Sequence, residues 1–394
     1  MKAVLNPFSP GAGSPPPELA GRSEILEKAM VALARIKAGR SEKSFLLVGL
    51  RGVGKTVLLH KISEVAEENG YKPLMIEARE DKSLSELLIP YLRQLLFSLD
   101  IGKSVSEKVK RATRILKSFM LKVNPNGAVE FGLDIDPEKG TADSGDLETD
   151  LSQLFIALGE AAQDRSTAIA IIVDEMQYLN DEELSSLIMA VHKITQKSLP
   201  LIVIGAGLPQ LLGKAGNAKS YAERLFDYPE VGPLENDDAK LALQGPVNAQ
   251  HVLFSDDALN EILRVTEKYP YFLQEWGYQA WLLAEKSPIT LPVVKKASTE
   301  SIRRLDKNFF RVRFDRLTPR EREYLRAMAE LGPGAHRSGD IADLLHLEVQ
   351  SVAPFRSSLI RKGMIYSPAH GDTEFTVPLF VDFMKRSMPL PRGK

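Results

Sequence analysis

The sequence contains no cysteine among its 394 residues. This absence excludes a disulfide scaffold, a zinc–thiolate site, an iron–sulfur cluster and a cysteine nucleophile. The sequence also lacks any apolar run approaching the ~18 residues of a membrane span, and the first ten residues contain no apolar signal core. We therefore expect a soluble protein of the reducing cytoplasm that has no membrane partner.

The chain also lacks an excess of charge of either sign. It has 51 Lys and Arg residues against 52 Asp and Glu residues, so its formal net charge is -1. This balance excludes nucleic-acid binding through bulk charge and leaves a local basic patch as the alternative. Basic residues gather at 103–122 and 295–322, whereas acidic residues collect around 134–150 and 174–183.

A glycine-rich motif follows the short apolar run at 44–48, which predicts a buried strand. Residues 49–56 (GLRGVGKT) match G-x-x-x-x-G-K-[ST] and open a predicted helix at 56–69. Glycines let backbone N–H groups curl around a phosphate, Lys55 would reach its oxygens, and Thr56 would ligate Mg²⁺. This phosphate loop predicts ATP and Mg²⁺ as ligands. The candidate binding residues are Gly49, Arg51, Gly52, Val53, Gly54, Lys55, Thr56 and Val57.

The second motif is acidic and follows the apolar run at 168–173. This run also predicts a buried strand. Asp174 would hold Mg²⁺, and Glu175 would polarise the attacking water, so the pair favours hydrolysis over simple binding. Gln177 is either a sensor of the γ-phosphate or a plain polar loop residue. The next predicted strand, 199–204, runs into Gly205-Ala206-Gly207, a pattern that favours a tight turn with a close backbone approach.

Strands alternate with helices through the first half of the chain, which predicts an α/β fold with a parallel, doubly wound sheet. We expect a core domain at 1–232 with an insert at 103–145. The insert contains a predicted β-hairpin, 119–135, around Asn124-Pro125-Asn126-Gly127. Residues 233–308 contain helical patterns and no convincing strand, and residues 309–394 form the last predicted domain.

The last domain has the pattern of a winged helix. A helix capped by Thr318 and Pro319, a short second helix and a third helix at 348–362 precede two short strands. The third helix is the usual reader of the DNA major groove in such domains. The alternative for the preceding basic stretch is a linker helix paired with acidic neighbours. The candidate DNA contacts are Arg303, Arg304, Arg311, Arg313, Arg356, Arg361 and Lys362.

Four features together resemble a AAA+ ATPase, most closely the group that includes initiator-like and STAND-like ATPases. They are the phosphate loop, the acidic motif Asp174-Glu175, the pair Gly21-Arg22 and the run at 220–226 (SYAERLF). The resemblance implies a P-loop NTPase sheet of AAA+ type with a helical lid. It implies that Gly21 and Arg22 border the adenine, and that Pro270 lies near the nucleotide. It also implies that Arg224 is an arginine finger for a neighbouring subunit, hence a homo-oligomer. Initiator-type members place an arginine in the lid, but none occurs between 265 and 301, which favours the STAND-like variant.

These features predict an ATP-hydrolysing switch that couples its nucleotide state to DNA binding through the C-terminal domain. Two alternatives remain open. In the first, the chain is a signalling or defence ATPase whose winged helix contacts a protein partner. In the second, it is a nucleotide-gated scaffold with negligible turnover.

Overall fold

A central parallel sheet organises the first part of the computed structural model, which describes residues 1–11, 13, 15–100, 106–123, 136–369 and 371–389. Its five strands have the order β2-β3-β4-β1-β5. The sheet therefore places β4 between the strand that precedes the phosphate loop and the strand that ends in Asp174. The strands are β1 (Ser44–Val48), β2 (Tyr71–Glu77), β3 (Ala168–Asp174), β4 (Leu201–Gly207) and β5 (Phe226–Asp227).

Helices cover both faces of this sheet, as the apolar character of its strands requires. Alternate residues of β3 face opposite layers: Ala170 and Ile172 pack in a core with α1 and α2, while Ile169 and Ile171 pack with α3 to α6. The α/β fold with a doubly wound parallel sheet is confirmed. The helices of this domain are α1 (Ser23–Lys37), α2 (Lys55–Glu68), α3 (Leu84–Asp100), α4 (Glu107–Val123), α5 (Leu147–Asp164), α6 (Asp181–Gln196), α7 (Gln210–Ala218) and α8 (Ala222–Leu225).

The predicted hairpin at 119–135 is wrong at its start. Helix α4 continues to Val123, and Phe119 and Met120 are buried at helical spacing from Ile115 and Leu116. The helical period of this apolar face therefore overrides the extended pattern expected there. The remainder of the predicted hairpin, including the turn at 124–127, lies outside the described residues.

Four helices follow the sheet domain: α9 (Asn236–Asn248), α10 (Asp256–Thr266), α11 (Pro270–Leu283) and α12 (Leu291–Arg304). They form the helical region expected at 233–308, which we call the lid. Helix α12 runs without a break into a π-helical segment, Leu305–Phe310, and then into α13 (Arg311–Phe314). The boundary expected at residue 308 therefore falls inside a continuous helical rod.

The C-terminal domain consists of helices around a small antiparallel sheet of order β6-β8-β7. The three helices and the last two strands appear in the predicted order, and β6 and α17 are additions that the sequence pattern did not reveal. Among the described residues, no helix is long and apolar enough to cross a membrane. The elements are α14 (Pro319–Leu331), β6 (His336–Arg337), α15 (Ser338–Leu344), α16 (Val349–Arg361), β7 (Ile365–Tyr366), β8 (Asp372–Phe375) and α17 (Phe380–Ser387).

The N-terminal strap, residues 1–11, lies along helix α11 of the lid. Trp281 Nε1 donates a hydrogen bond to the Lys2 carbonyl at 3.0 Å. The Ser9 backbone N–H donates to Gln274 Oε1 at 3.2 Å. These contacts join the start of the chain to the lid, although more than 260 residues separate them.

Glu321 ties two helices of the C-terminal domain together. Its carboxylate, 3% exposed, accepts hydrogen bonds from Lys362 Nζ at 2.7 Å, from Ser358 Oγ at 2.7 Å and from the Thr318 backbone at 2.7 Å. Burial opposes ionisation of Glu321, but these donors outweigh it and lower its pKa to about 2. The predicted capping of α14 by Thr318 is confirmed as a capping box with Glu321.

We expect Gly277→Ala to destabilise the protein by roughly 1–3 kcal/mol, the usual cost of overpacking. A Cβ at Gly277 would lie 2.6 Å from Cε1 of the buried Phe8, so the strap would have to move. The matched control is Gly213→Ala on α7, where a Cβ meets nothing within 4 Å. Urea unfolding should show the control to be neutral or stabilising. Equal gains of stability in both variants would contradict this packing.

We expect Glu321→Gln to lower the free energy of unfolding at pH 7 by about 1–3 kcal/mol. Because the folded pKa lies below the ordinary 4.5, the stabilisation is complete above pH 4.5 and is lost as the pH falls towards 2. The difference between wild type and variant should shrink over that range. Glu323→Gln, which breaks an exposed pair with Arg320 on the same helix, is the control. A constant difference from pH 7 to pH 3 would contradict the assignment.

Candidate nucleotide site

The phosphate loop joins the carboxyl end of β1 to the amino terminus of α2. Gly52 and Gly54 have φ values of 84° and 94°, a conformation that favours glycine. A Cβ at Gly49 would lie 2.1 Å from the Val231 carbonyl oxygen. The glycines therefore permit both the curl of the loop and its close packing. The first residues of α2, Lys55 to Val57, line the cavity, and the amino terminus of a helix is a ready anion site.

Lys55 is buried beneath this loop. Its Nζ donates hydrogen bonds to the carbonyls of Gly49 and Leu50, each at 2.8 Å. Burial lowers the pKa of Lys55 to about 8, against the opposing effect of Glu175 and Asp174. The ammonium group is therefore held at the loop by backbone oxygens that an anionic ligand can replace.

Thr56 and Asp174 meet across the gap between the two motifs. Thr56 Oγ1 donates a hydrogen bond to Asp174 Oδ2 at 2.6 Å. Burial raises the pKa of Asp174, and the hydrogen bond from Thr56 opposes that rise. A hydroxyl and a carboxylate are hard oxygen donors, the type that Mg²⁺ prefers. The donor set therefore fits the predicted metal.

Glu175 follows β3 in a left-handed backbone conformation, with φ 54°. Such a conformation in a non-glycine residue costs about 1–3 kcal/mol and is common at functional sites. Gln177 Nε2 donates to the Glu175 carboxylate, while Gln177 Oε1 accepts the Leu208 backbone N–H at 3.1 Å. Gln177 therefore positions Glu175 against the end of β4. This positioning contact was not expected from the sequence, and the role of Gln177 as a γ-phosphate sensor stays a prediction.

The small residues at the end of β4 allow the segment after Asp174 to pack closely. A Cβ at Gly205 would lie 1.9 Å from Met176 Sδ, and one at Gly207 would lie 3.1 Å from Gln177 Oε1. The close approach expected from Gly205 to Gly207 is therefore present, but the tight turn expected there is wrong, because these residues belong to β4. It fixes the loop that carries Glu175.

One cavity extends from the phosphate loop to the lid. Pro270 begins α11 and lines it. Arg22 also lines it, and its Nη2 donates to the carbonyls of Val53 at 3.2 Å and Gly232 at 2.5 Å. Gly21 lies beside the Asp238 carboxylate. The far end has the apolar character that a nucleobase needs. Its apolar lining residues are Pro10, Pro16, Leu19, Ala20, Leu234, Ala242 and Leu273.

Arg51 of the phosphate loop makes contacts in two directions. Its Nη2 donates to Tyr178 Oη at 2.9 Å, and its Nη1 lies 3.9 Å from Glu175 Oε1. On the opposite side, its backbone N–H donates to the Thr376 carbonyl at 3.3 Å. A Cβ at Gly363 would lie 2.5 Å from Arg51 Nη2. The loop therefore contacts Glu175 and the C-terminal domain through one residue.

Arg313 lies in this cavity, although the sequence placed it among the DNA contacts. Its guanidinium covers the Phe309 ring, 3.9 Å from the ring centre. The helical rod carries Phe309 and Arg313 back to the phosphate loop, where Tyr271 stacks on Phe309. The DNA assignment of Arg313 is therefore corrected. No sequence signal places these residues, or Tyr178, at the site.

The three other candidate arginines of the basic stretch are paired within the chain. Arg303 forms a bidentate pair with Glu300. Arg311 pairs with Asp315 at 2.9 Å. Arg304 lies 3.4 Å from Glu275 in the lid. These three arginines are therefore neutralised, in line with the alternative of a helix paired with acidic neighbours, whereas the exposed Arg316 has no ion pair among the described residues.

Two of the three candidates at the end of α16 also serve the domain itself. Arg356 donates to Ser367 Oγ at 2.8 Å and to the Asp372 carbonyl at 3.0 Å, and Lys362 is held by Glu321. Arg361 is exposed and has no side-chain partner among the described residues. Arg361 is the remaining candidate on this helix.

Arg224 lies on the short helix α8 and is exposed. Within the described ranges its side chain forms no hydrogen bond or ion pair, and it does not line the cavity of its own chain. The placement leaves Arg224 available to a second molecule.

Two family models match separate parts of the chain. Residues 18–204 match a family described as AAA ATPase domain, and residues 307–384 match a family described as a domain of unknown function. Over 388 residues, the chain is 21% identical to an uncharacterized HTH-type transcriptional regulator of Methanocaldococcus jannaschii. That alignment covers 95% of this chain and 90% of the regulator.

Solved structures of similar architecture include a Walker-type ATPase of Pyrococcus abyssi, with a TM-score of 0.54, 16% identity, and coverage of 93% of this chain and 96% of that chain. An Aeropyrum pernix Orc1 protein solved in complex with DNA has a TM-score of 0.47, 17% identity, and coverage of 99% and 97%. At 16% identity, the similarity to the Pyrococcus protein shows the fold alone. Residues 18–204 are therefore similar to an AAA ATPase domain, and the chain shares the α/β architecture of the Pyrococcus structure.

Proposed function

We propose that this protein is an ATP-hydrolysing switch whose nucleotide state controls the position of its C-terminal domain. The observation that carries the proposal is the double contact of Arg51. Its side chain contacts Tyr178 and Glu175, while its backbone N–H and guanidinium contact Thr376 and Gly363. Any change of the phosphate loop on nucleotide binding would therefore reach the C-terminal domain directly.

The roles of the site residues follow from their geometry. Lys55 exchanges the Gly49 and Leu50 carbonyls for phosphate oxygens, and the amino terminus of α2 adds its N–H groups. Thr56 and Asp174 would hold Mg²⁺, which would neutralise charge developing on the phosphates. Glu175, fixed by Gln177, orients the attacking water and accepts its hydrogen bond.

Assembly of copies is the second part of the proposal. Arg224 is exposed and lies outside its own cavity, so we propose that it enters the site of a neighbouring subunit. There it would stabilise negative charge in the transition state, an effect worth about 10³-fold or more in related ATPases. This role requires a homo-oligomer.

We expect Lys55→Ala to abolish ATP binding, because the buried ammonium is the principal charge at the loop. Glu175→Gln should still bind ATP but hydrolyse it roughly 10²–10⁴-fold more slowly, the usual contribution of a general base. Lys61→Ala, which breaks an exposed pair with Glu64 on the same helix, should change neither property. Phosphate release and equilibrium ATP binding measure the two effects. Negligible turnover by the wild type would favour the scaffold alternative.

We further propose that the C-terminal domain is a winged helix that binds DNA. Its order of helices and strands supports this, as does the name of the Methanocaldococcus relative, an HTH-type regulator. Arg361, exposed in the last turn of α16, would contact a phosphate. Such contacts position DNA without specifying its sequence.

A protein partner is the second candidate for this domain, and one surface favours it. Leu344 at the end of α15, Leu347 in the following loop and Val349 at the start of α16 are 44%, 36% and 50% exposed. The neighbouring charges, Asp343 and Glu348, are acidic, which is unfavourable next to a phosphate backbone.

We expect Arg361→Ala to weaken DNA binding for all sequences and to reduce the slope of log affinity against log salt by about 1. Arg303→Ala is the matched control, because Arg303 already pairs with Glu300. Fluorescence anisotropy on duplex DNA, with and without ATP and over a stated salt series, measures both. DNA affinity that is absent in the wild type, or identical in both variants, would contradict the DNA proposal and favour the protein partner.

A further inference from the structure

Cationic side chains outnumber carboxylates along the lining of the nucleotide cavity. Four cations line it, but only two carboxylates do so among the described residues. The cations are Arg22, Arg51, Lys55 and Arg313, and the carboxylates are Glu18 and Glu175. A buried cation without a partner costs several kcal/mol, so this arrangement favours an anionic ligand.

Arg313 is the least compensated of these cations. Its one hydrogen bond within the described ranges runs from Nη1 to the Phe309 carbonyl at 2.9 Å, and no carboxylate there lies within ion-pair distance. Burial and, after it, the charge of Arg51 lower the pKa of Arg313 to about 10. Arg313 is held in place by Phe309 rather than by an acid.

Arg51, which also lines the cavity, is likewise poorly compensated. Its Nε is buried and has no hydrogen-bond partner among the described residues. Its Nη1 lies 3.9 Å from the nearest Glu175 oxygen, longer than a direct hydrogen bond. Arg51 and Arg313 both line the cavity, neither forms a close ion pair among the described residues, and guanidinium groups are well suited to bind a phosphate.

We propose that Arg313, together with Arg51, binds the terminal phosphate of ATP and thereby distinguishes ATP from ADP. This inference rests on the proposed nucleotide site and deepens it. The lid contains no arginine between residues 265 and 301, so the cation comes from the rod that leads into the C-terminal domain. The same rod continues through α13 towards α14. Binding of the third phosphate to Arg313 would therefore act on the position of the rod where the C-terminal domain begins.

The test compares the affinities of ATP and ADP, each with Mg²⁺, for the full chain and its variants. Arg313→Ala should raise the Kd of ATP by about tenfold or more and that of ADP by less than about threefold, since one charged hydrogen-bonding group is lost. Arg313→Lys keeps the positive charge but loses the two parallel N–H donors of the guanidinium group. Its Kd for ATP should therefore lie between those of the wild type and Arg313→Ala. Arg311→Ala is the matched control, because Arg311 is exposed and paired with Asp315.

The ratio of the two affinities separates recognition from a structural role, because a merely structural loss would weaken both nucleotides equally. An ATP-to-ADP ratio unchanged in Arg313→Ala would overturn the inference. If Arg313→Ala fails to fold, the ratio in Arg313→Lys and Arg313→Gln decides by the same criterion. If the wild type binds neither nucleotide, or Lys55→Ala binds both normally, the proposed function itself fails. If Lys55→Ala loses binding while the Arg313 variants keep the ratio, the inference alone fails.

Discussion

Uncompensated positive charge in the nucleotide cavity is the constraint on which the rest of the structure depends. Lys55 relies on backbone carbonyls, Arg313 on an aromatic ring and one carbonyl, and Arg51 on Tyr178 and a distant carboxylate. Each arrangement is a weaker substitute for a buried ion pair. Polyphosphate binding would satisfy all three groups at once, which makes the ligand part of the fold's stability.

The same three cations belong to different parts of the chain. Arg51 and Lys55 belong to the phosphate loop, whereas Arg313 belongs to the helical rod between lid and C-terminal domain. A ligand shifts a conformational equilibrium only by its difference in affinity for the two states. Since the groups converge on one cavity in this arrangement, a third phosphate stabilises it selectively. Binding of ATP and the position of the C-terminal domain are then coupled by these contacts alone.

Elements whose conformation depends only on neighbouring residues could be predicted from the sequence. Strand β1 has the predicted bounds, and the motif that follows it adopts the expected loop, because glycine conformation and helix start are properties of neighbouring residues. The pairing of Glu300 with Arg303 was visible in principle, since residues three apart meet on a helix. A count of charges over 295–322 ignored that spacing, so it overstated the free basic surface.

Arg313 could not be placed from the sequence, because its position depends on geometry that no periodic pattern reveals. A π-helical segment at Leu305–Phe310 precedes it, and a π-helix turns less per residue than an α-helix. The segment therefore rotates Arg313 away from the face that an unbroken 3.6-residue period assigns to it. Such segments are frequent at functional sites, and here one directs a residue from a basic stretch into the cavity. The π-helical segment of the rod thus explains how Arg313 adds its positive charge to the cavity.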